Sequence, residues 1–525
     1  MNYYPCKFIF LYLKGVVMSS ISRRNFVKMS VAGAGMLALS GLDTQAALNQ
    51  KEVKFDEEFD VVIVGSGFAG LAAAISAAKR GKNVLVVEKM GRVGGNSVIN
   101  GGQIAVHNND LQKRDGIKDS KELFVKDILS AGKVNHPSLV NVLVDRDMDT
   151  FKFAIENGAK FSDKLYFAGG HSVARSYHTE NESGSGIIQP FANVIKDMPN
   201  AQIRTRTKFD KFIIDESGKI IGVAIRENYK FDAKLFHDDT QNLEGDKKFI
   251  KVKNGVILAS GGFSNDKIFR QVQNPAIVPT TDSTNHPGSS AGAMIEGFKL
   301  GAMPILVGQI LYSHVKCPDE KGNGIGSPFA SGCFTYGMSV NAKTGKRYVN
   351  ELASRRIVSE AMFNVIGSDE NYPIHIMDSD GAAMLKDGVL ERTMQSGIVK
   401  KFDTLEALAK NYKIEVQPFL NEVERYNSFV KSGKDDDFKK PIEITKDITI
   451  TKPPFYAMRG TPKLHSTMGG LTINEKAQVL GFDNKPIDGL YAAGEVTGGV
   501  WGLSRLGNIG TLSCLAFGMI AGENI

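Results

Sequence analysis

Three separated stretches of the chain share one pattern: a short, nearly unbroken apolar run that ends in glycines. Phe59-Asp60-Val61-Val62-Ile63-Val64 reads as a strand buried in a parallel sheet, because its apolar positions run on instead of alternating. Leu71 to Arg80 follows as an alanine-rich helix capped by Gly81, and Asn83-Val84-Leu85-Val86-Val87 is a second buried strand that ends at Glu88. Far downstream, Val256-Ile257-Leu258-Ala259 runs into Ser260-Gly261-Gly262-Phe263, and Leu490-Tyr491-Ala492-Ala493 runs into Gly494-Glu495. Strands from both ends of the chain therefore contribute to one site, which predicts an α/β fold whose middle is an insertion.

Composition narrows the picture. At 525 residues, with 42% apolar and 23% charged, the chain is long enough for several domains and large cores. Glycine, at 55 residues, is above the usual ~7% and clusters after the apolar runs, where a ligand held by backbone would sit. The net charge is +7, but residues 1–47 hold five Lys/Arg against one Asp, so the rest is close to balance and makes no case for nucleic-acid binding. The four cysteines, Cys6, Cys317, Cys333 and Cys514, form no C-x-x-C and no haem-attachment motif.

Ser22-Arg23-Arg24-Asn25-Phe26-Val27-Lys28 precedes a short apolar run, Val31 to Leu42, and then Ala46-Ala47. The run is too short to span a bilayer, which needs about 20 residues. The pattern resembles a twin-arginine export signal over residues 1–47, recognised by the twin-arginine translocase and implying a periplasmic mature chain with no stable membrane anchor. A plain basic amino terminus is the alternative. Residues 1–17 fit poorly before such a signal, which makes Met18 a candidate start.

Between the first strand and helix lies Gly65-Ser66-Gly67-Phe68-Ala69-Gly70, a G-x-G-x-x-G in a βαβ unit. Gly65 permits the tight turn, Gly67 admits a pyrophosphate, Gly70 lets helix and strand pack, and the helix amino terminus favours phosphate. Glu88 is placed to accept hydrogen bonds from ribose hydroxyls, followed by Lys89. Gly94-Gly95-Asn96-Ser97 and Gly101-Gly102 lie just beyond, and with Gly261 and Glu495 they fit an extended dinucleotide, FAD rather than NAD. Gly518 to Ile525 reads as a helix packed under that cofactor.

At this point the chain resembles the soluble, exported fumarate reductase and flavocytochrome c flavoproteins, a group that includes urocanate reductase and related enoate reductases. The resemblance spans about 55–525 and rests on Gly65–Gly70 with Glu88-Lys89, Gly94–Ser97, Ser172-Val173-Ala174-Arg175 and Ala259–Phe263. Gly345-Lys346-Arg347-Tyr348-Val349-Asn350-Glu351, Thr467-Met468-Gly469-Gly470 and Gly494-Glu495-Val496-Thr497-Gly498-Gly499 complete it. It implies a Rossmann-like domain (55–308 with 468–525) binding FAD non-covalently, interrupted by a mobile α+β capping domain (309–467). It implies FAD contacts at Ala69, Glu88, Asn96, Ser97, Gly102, Glu495, Gly510 and Thr511. Ala293 stands where the family usually has an acidic contact. No metal site is expected.

The implied chemistry is reduction of a C=C bond beside a carboxylate: hydride from flavin N5 to the β-carbon, and a proton from the protein to the α-carbon. Arg355 matches the proton-donating arginine, Arg505 the carboxylate clamp, and His314 and His465 the substrate-binding histidines. Read alone, Arg355 is also consistent with a surface arginine, Arg505 with a structural ion pair, and the histidines with core residues. The departures matter more. A ligand histidine before Thr467 is replaced by Ser466, and the residues that relay protons to the catalytic arginine fall at Cys333 and Ala330, with Phe329 in place of a substrate-binding threonine. Cys333 is then a relay or a plain buried residue. Phe329, Cys333 and Tyr336 are expected at one end of the pocket, which points away from fumarate toward an acrylate or arylacrylate, with fumarate itself the alternative. Lacking haem, the chain needs a separate cytochrome c or quinol-linked electron donor. Competing readings are a flavin dehydrogenase or oxidase of the 3-ketosteroid dehydrogenase or aspartate oxidase kind, or a redox subunit using FAD as a relay.

Overall fold

The structure, a computed structural model, describes residues 48–49, 53–275, 277 and 280–525; the twin-arginine segment and Met18 lie outside the described residues. The βαβ unit forms where the apolar runs place it. Strand β1 (Glu57–Val64) leads through the glycine turn into helix α1 (Phe68–Lys79) and strand β2 (Val84–Glu88). Strand β3 (Ala201–Thr205) lies on the far side of β2, and β4 (Lys208–Ile214) and β5 (Ile220–Glu227) form an antiparallel pair. Strand β6 (Asp246–Leu258) is long enough to serve two neighbours along one edge. Its first half pairs antiparallel with β5, and its second half pairs parallel with β7 (Pro486–Ala492), with Leu490 beside Val256 and Ala492 beside Leu258. Its other edge pairs with β1, with Val62 beside Val256. The parallel core therefore runs β3-β2-β1-β6-β7, and both ends of the chain supply it.

The carboxy-terminal helix α2 spans Ile509–Asn524, beginning well before the predicted Gly518. Its glycines read as breaks in the sequence, yet they are contact points. A Cβ on Gly518 would stand 2.4 Å from the Ala69 carbonyl oxygen, and one on Gly522 would stand 2.3 Å from that of Ala73. Helices α1 and α2 thus meet backbone to backbone, which only small residues allow.

Residues 338–459 hold a separate four-stranded antiparallel sheet, ordered Met338–Val340, Ile374–Met377, Phe455–Arg459, Lys400–Phe402. It has its own core, including Phe419, Tyr426, Ile376 and Ala457. A two-stranded ribbon, Ile310–Lys316 against Thr461–Thr467, carries the chain into and out of this region, and the helix Arg355–Ile366 packs on the ribbon. Among the described residues no helix is long and apolar enough to cross a membrane.

Replacing Gly518 by Ala should lower stability by about 1–3 kcal/mol through the clash with α1. Gly81→Ala, at φ +81° with nothing within 4 Å, should cost only the ~1 kcal/mol of a left-handed backbone. Urea midpoints of the two variants check this ordering, and equal losses would contradict it.

Candidate active site

A long cleft runs along the ends of β1 and β2, and most of the predicted cofactor residues line it: Gly65, Gly67, Phe68, Ala69, Glu88, Lys89, Gly95, Asn96, Ser97, Gly261, Ala293 and Glu495. The turn behaves as its glycines require. Gly65 sits at φ +106°, and a Cβ there would lie 2.4 Å from the Ala259 carbonyl oxygen. A Cβ on Gly70 would lie 1.9 Å from that of Gly65, so helix and turn could not close on anything larger. Glu88 is pre-set: its carboxylate accepts from the Ser66 N–H (3.1 Å) and O–H (2.7 Å) and from the Met90 N–H (2.9 Å). Ser66 Oγ in turn accepts from the Gly94 N–H at 3.0 Å, tying the two glycine turns together. Asn96 donates to Ser289 Oγ at 2.9 Å and accepts from the His286 N–H at 2.6 Å.

The other predicted residues are not among those lining the cleft. Gly70 lies beneath the turn, Gly101 beside the Gln103 side chain, and Gly102 against Thr179 and Ser183. The Thr511 hydroxyl lies 3.4 Å from Asn100 Oδ1. Gly510 has a different reason to be glycine, since a Cβ would fall 1.8 Å from Arg505 Nη1. The glycine cradle and the anchored carboxylate fit FAD.

Sequence reasoning missed Asp239. It lines the cleft, and its Oδ1 accepts from Lys89 Nζ at 3.1 Å. A Cβ on Gly292, beside Ala293, would come within 2.5 Å of its carboxylate. The charges of Lys89 and Lys208 outweigh burial and hold the group well below the usual carboxylate range. Asp239 sits in a polar connection between β5 and β6, where no motif marks it.

The predicted reacting groups gather from the two parts of the fold. Arg355 is the first residue of the helix Arg355–Ile366, where the helix dipole disfavours a cation and favours an anion. Its neighbour Arg356 turns away and pairs with Glu360 at 2.7 Å, while Arg355 makes no ion pair or hydrogen bond among the described residues. Arg355 is exposed, yet the protein around it desolvates its guanidinium in part, and this, with the Arg505 charge, lowers its pKa. Arg505, half-buried between β7 and α2, likewise has no ion pair or hydrogen bond among the described residues. Its guanidinium lies 4.9 Å from the Trp501 ring centroid, and desolvation lowers its pKa while Glu495 and Cys514 act against the shift. A structural ion pair is therefore not what holds Arg505.

His465 and His314 sit on the ribbon under Arg355. The Nδ1 of His465 lies 2.9 Å from the Thr284 hydroxyl, and burial plus the Arg355, Arg505 and Lys316 charges hold its pKa well below the ordinary value. His314 stacks on Phe334 at 5.4 Å with its Nδ1 unpartnered, and burial with the Arg355 and His375 charges pulls it down to about 3. Both imidazoles are neutral at ordinary pH. Lys316, also missed, is buried near them: Nζ donates to the Asn323 carbonyl and Oδ1, both at 2.7 Å, and burial pulls it down to about 8.

One expectation is corrected. Phe329, Ala330 and Cys333 do not line an open pocket. All three are fully enclosed on the helix Ser327–Tyr336, packed with Met377, Tyr456 and Met458, because that face of the helix covers the four-stranded sheet. Burial pushes the Cys333 thiol well above its ordinary pKa, so it stays protonated. The Gly345–Glu351 motif also has a structural task. Arg347 makes a bidentate pair with Glu351 (2.9 and 2.8 Å) and reaches Asp435 at 3.0 Å, all with buried side chains, and this fixes the chain just before Arg355.

Comparison with known proteins decides the family. The FAD binding domain family matches residues 60–511. The acrylate reductase flavoprotein subunit of Shewanella woodyi is 36% identical over 95% of this chain and 97% of its own length. The chain belongs to the FAD-dependent fumarate and enoate reductase flavoproteins. Urocanate reductase of Eggerthella lenta is 33% identical, covering 97% of this chain and 81% of that protein. The open conformation of a flavocytochrome c3 fumarate reductase superposes with a TM-score of 0.76 at 27% identity, covering 96% of this chain and 81% of the other. The protein is thus an FAD-dependent oxidoreductase of the fumarate, acrylate and urocanate reductase type.

Cys333→Ala should leave kcat/KM within about twofold and its pH profile unshifted, as expected of a thiol that only packs. Folded His314 and His375 stay neutral down to about pH 3, whereas in the unfolded chain they take up protons near pH 6.5. Stability should therefore be lost as pH falls from about 6.5 toward 3, and His375→Asn should flatten part of that loss in a series of Tm measurements.

Proposed function

We propose that this enzyme reduces the C=C bond of a small α,β-unsaturated monocarboxylate of the acrylate or arylacrylate type. The observation that carries this reading is the pair Arg355, exposed at the start of its helix, and half-buried Arg505, two guanidinium groups near enough for the Arg505 charge to act on Arg355, with no ion pair among the described residues. A substrate carboxylate supplies the missing anion. The planar fork of Arg505 binds both of its oxygens and stays charged throughout. FAD bound in the cleft, once reduced by a separate electron donor, would supply the hydride for the β-carbon. Arg355, at a helix amino terminus and with a lowered pKa, delivers a proton to the α-carbon as negative charge builds there. His314 and His465 are neutral and Ser466 carries no charge, so these three side chains would offer a second carboxylate hydrogen bonds but no positive charge, while Lys316 on the same ribbon is engaged by Asn323. The name of the Shewanella woodyi relative supports the same substrate class. That relative is a flavoprotein subunit, which supports a separate electron donor, such as a cytochrome c or a quinol-linked protein, for this chain too. With the twin-arginine pattern, these features support a periplasmic terminal reductase in anaerobic respiration.

The test is anaerobic. With the bound flavin reduced, acrylate, arylacrylates, urocanate and fumarate are added singly while flavin absorbance is followed. An acrylate-type acid should reoxidise the flavin fastest, with fumarate at least tenfold lower in kcat/KM; fumarate as the best substrate would overturn the monocarboxylate reading. Arg505→Lys should raise KM about tenfold or more because the bidentate fork is lost. Arg355→Lys should lower kcat by about 10²–10⁴, the usual worth of a positioned acid.

A further inference from the structure

Among the described residues the Arg505 guanidinium has no ion pair or hydrogen bond and only the Trp501 ring and the bare α-carbon of Gly510 beside it, so its backbone must place it. The loop is tied down on both sides of it. Ahead of Arg505, the Asn135 amide donates to the Val500 carbonyl at 2.8 Å, and the Leu503 N–H donates to that of Gly132 at 2.7 Å. After Arg505, His171 Nε2 lies 2.6 Å from the Gly507 carbonyl oxygen, and the Gly507 N–H donates to the Gly169 carbonyl at 3.3 Å.

We propose that His171 is a positioning residue for Arg505: Arg175 holds its imidazole in one tautomer, and its hydrogen bond to Gly507 sets the loop that presents the carboxylate-binding guanidinium. The tautomer follows from the donors. Arg175 Nη1 lies 3.0 Å from His171 Nδ1, and a guanidinium has no lone pair to offer, so Nδ1 accepts and Nε2–H donates to Gly507. Arg175 has no freedom to change this. It is fully buried, pairs bidentately with Asp119 at 2.8 and 2.8 Å, reaches Asp127 at 2.7 Å, and lies 4.5 Å from the Phe124 ring centroid. Asp127 is fixed in turn by the Ser172 N–H (2.8 Å) and O–H (2.5 Å). Protonating His171 would set an N–H against the Arg175 N–H, and burial already keeps the imidazole below its ordinary pKa. The segment and the loop also interlock closely, since a Cβ on Gly170 would come within 2.8 Å of Leu506 Cδ1. The Ser172–Arg175 motif thus reaches the substrate through this histidine.

The claim rests on the proposed role of Arg505, and the chain supplies a probe that separates the two. Trp501 is the sole tryptophan, and it lies in the same loop under the Arg505 guanidinium. Acrylamide quenching of its emission is measured in wild-type, His171→Phe, His171→Gln and His171→Asn holoenzymes, together with the Kd of propionate read from the flavin absorbance. His171→Phe keeps ring volume but no hydrogen bond. It should raise the quenching constant severalfold and the propionate Kd about tenfold or more, with KM rising more than kcat falls and flavin content unchanged. His171→Gln can accept from Arg175 and donate to Gly507, and should stay near wild type; His171→Asn is too short to do both and should resemble the phenylalanine variant. Quenching and Kd at wild-type values in His171→Phe would overturn the proposal. So would equal behaviour of the glutamine and asparagine variants, which decides the matter should His171→Phe fail to fold. If the wild-type enzyme binds no carboxylate, the reading of Arg505 falls, while Trp501 quenching still decides whether His171 holds the loop.

Discussion

Two neighbouring guanidinium groups, exposed Arg355 and half-buried Arg505, with no counter-ion in contact among the described residues, are the constraint that the rest of this structure serves. A charge taken from water and left unpaired costs several kcal/mol, and the folded chain bears that cost in advance of any substrate. Partial solvent access to Arg355 and the ring face of Trp501 beneath Arg505 limit the penalty without cancelling it. An anion that enters removes it, so attraction for a carboxylate is built in before chemistry begins. Burial, reinforced by the same positive field, keeps the neighbouring His314 and His465 imidazoles neutral.

Holding such groups in place requires rigid surroundings, and the two arginines obtain them differently. Arg355 starts a helix, and the turn before it is locked by the buried Arg347–Glu351–Asp435 pairing. Arg505 stands on a loop fastened to segments 132–136 and 169–171 of the nucleotide-binding part of the fold. Acids around the site pair directly with Arg347 and Arg175, whereas the reactive arginines make no ion pair among the described residues and Arg505 feels Glu495 only at a distance. That division keeps the substrate position positive while satisfying the structural cations.

The cofactor half was legible in the sequence to a high degree. Gly65, Gly67, Gly70 and Glu88 act within one short βαβ unit, so their spacing alone defines their geometry. That the runs forming β1, β6 and β7 serve one site was also visible, because all three end in glycines, but that β7 pairs with β6 came only from the structure. Asp239 was not, since its place beside Lys89 and Gly292 depends on how the connection from β5 to β6 folds back over the cleft. The true start of α2 was hidden because glycines that permit contact with α1 look like helix breaks.

On the reacting side, the chain's order of residues determined which side chains are present: two arginines, two histidines, and no acid or arginine at the positions of Ala330 and Cys333. It could not determine which way they face. A position carried over along the helix Ser327–Tyr336 says nothing about which side of that helix meets the sheet, and packing turned Phe329 and Cys333 inward. Nor could it show that Arg505 makes no ion pair among the described residues, or that His171, far away in the chain, bonds to its loop. Those facts arise from contacts between segments hundreds of residues apart, and close packing of the folded chain is what selects them.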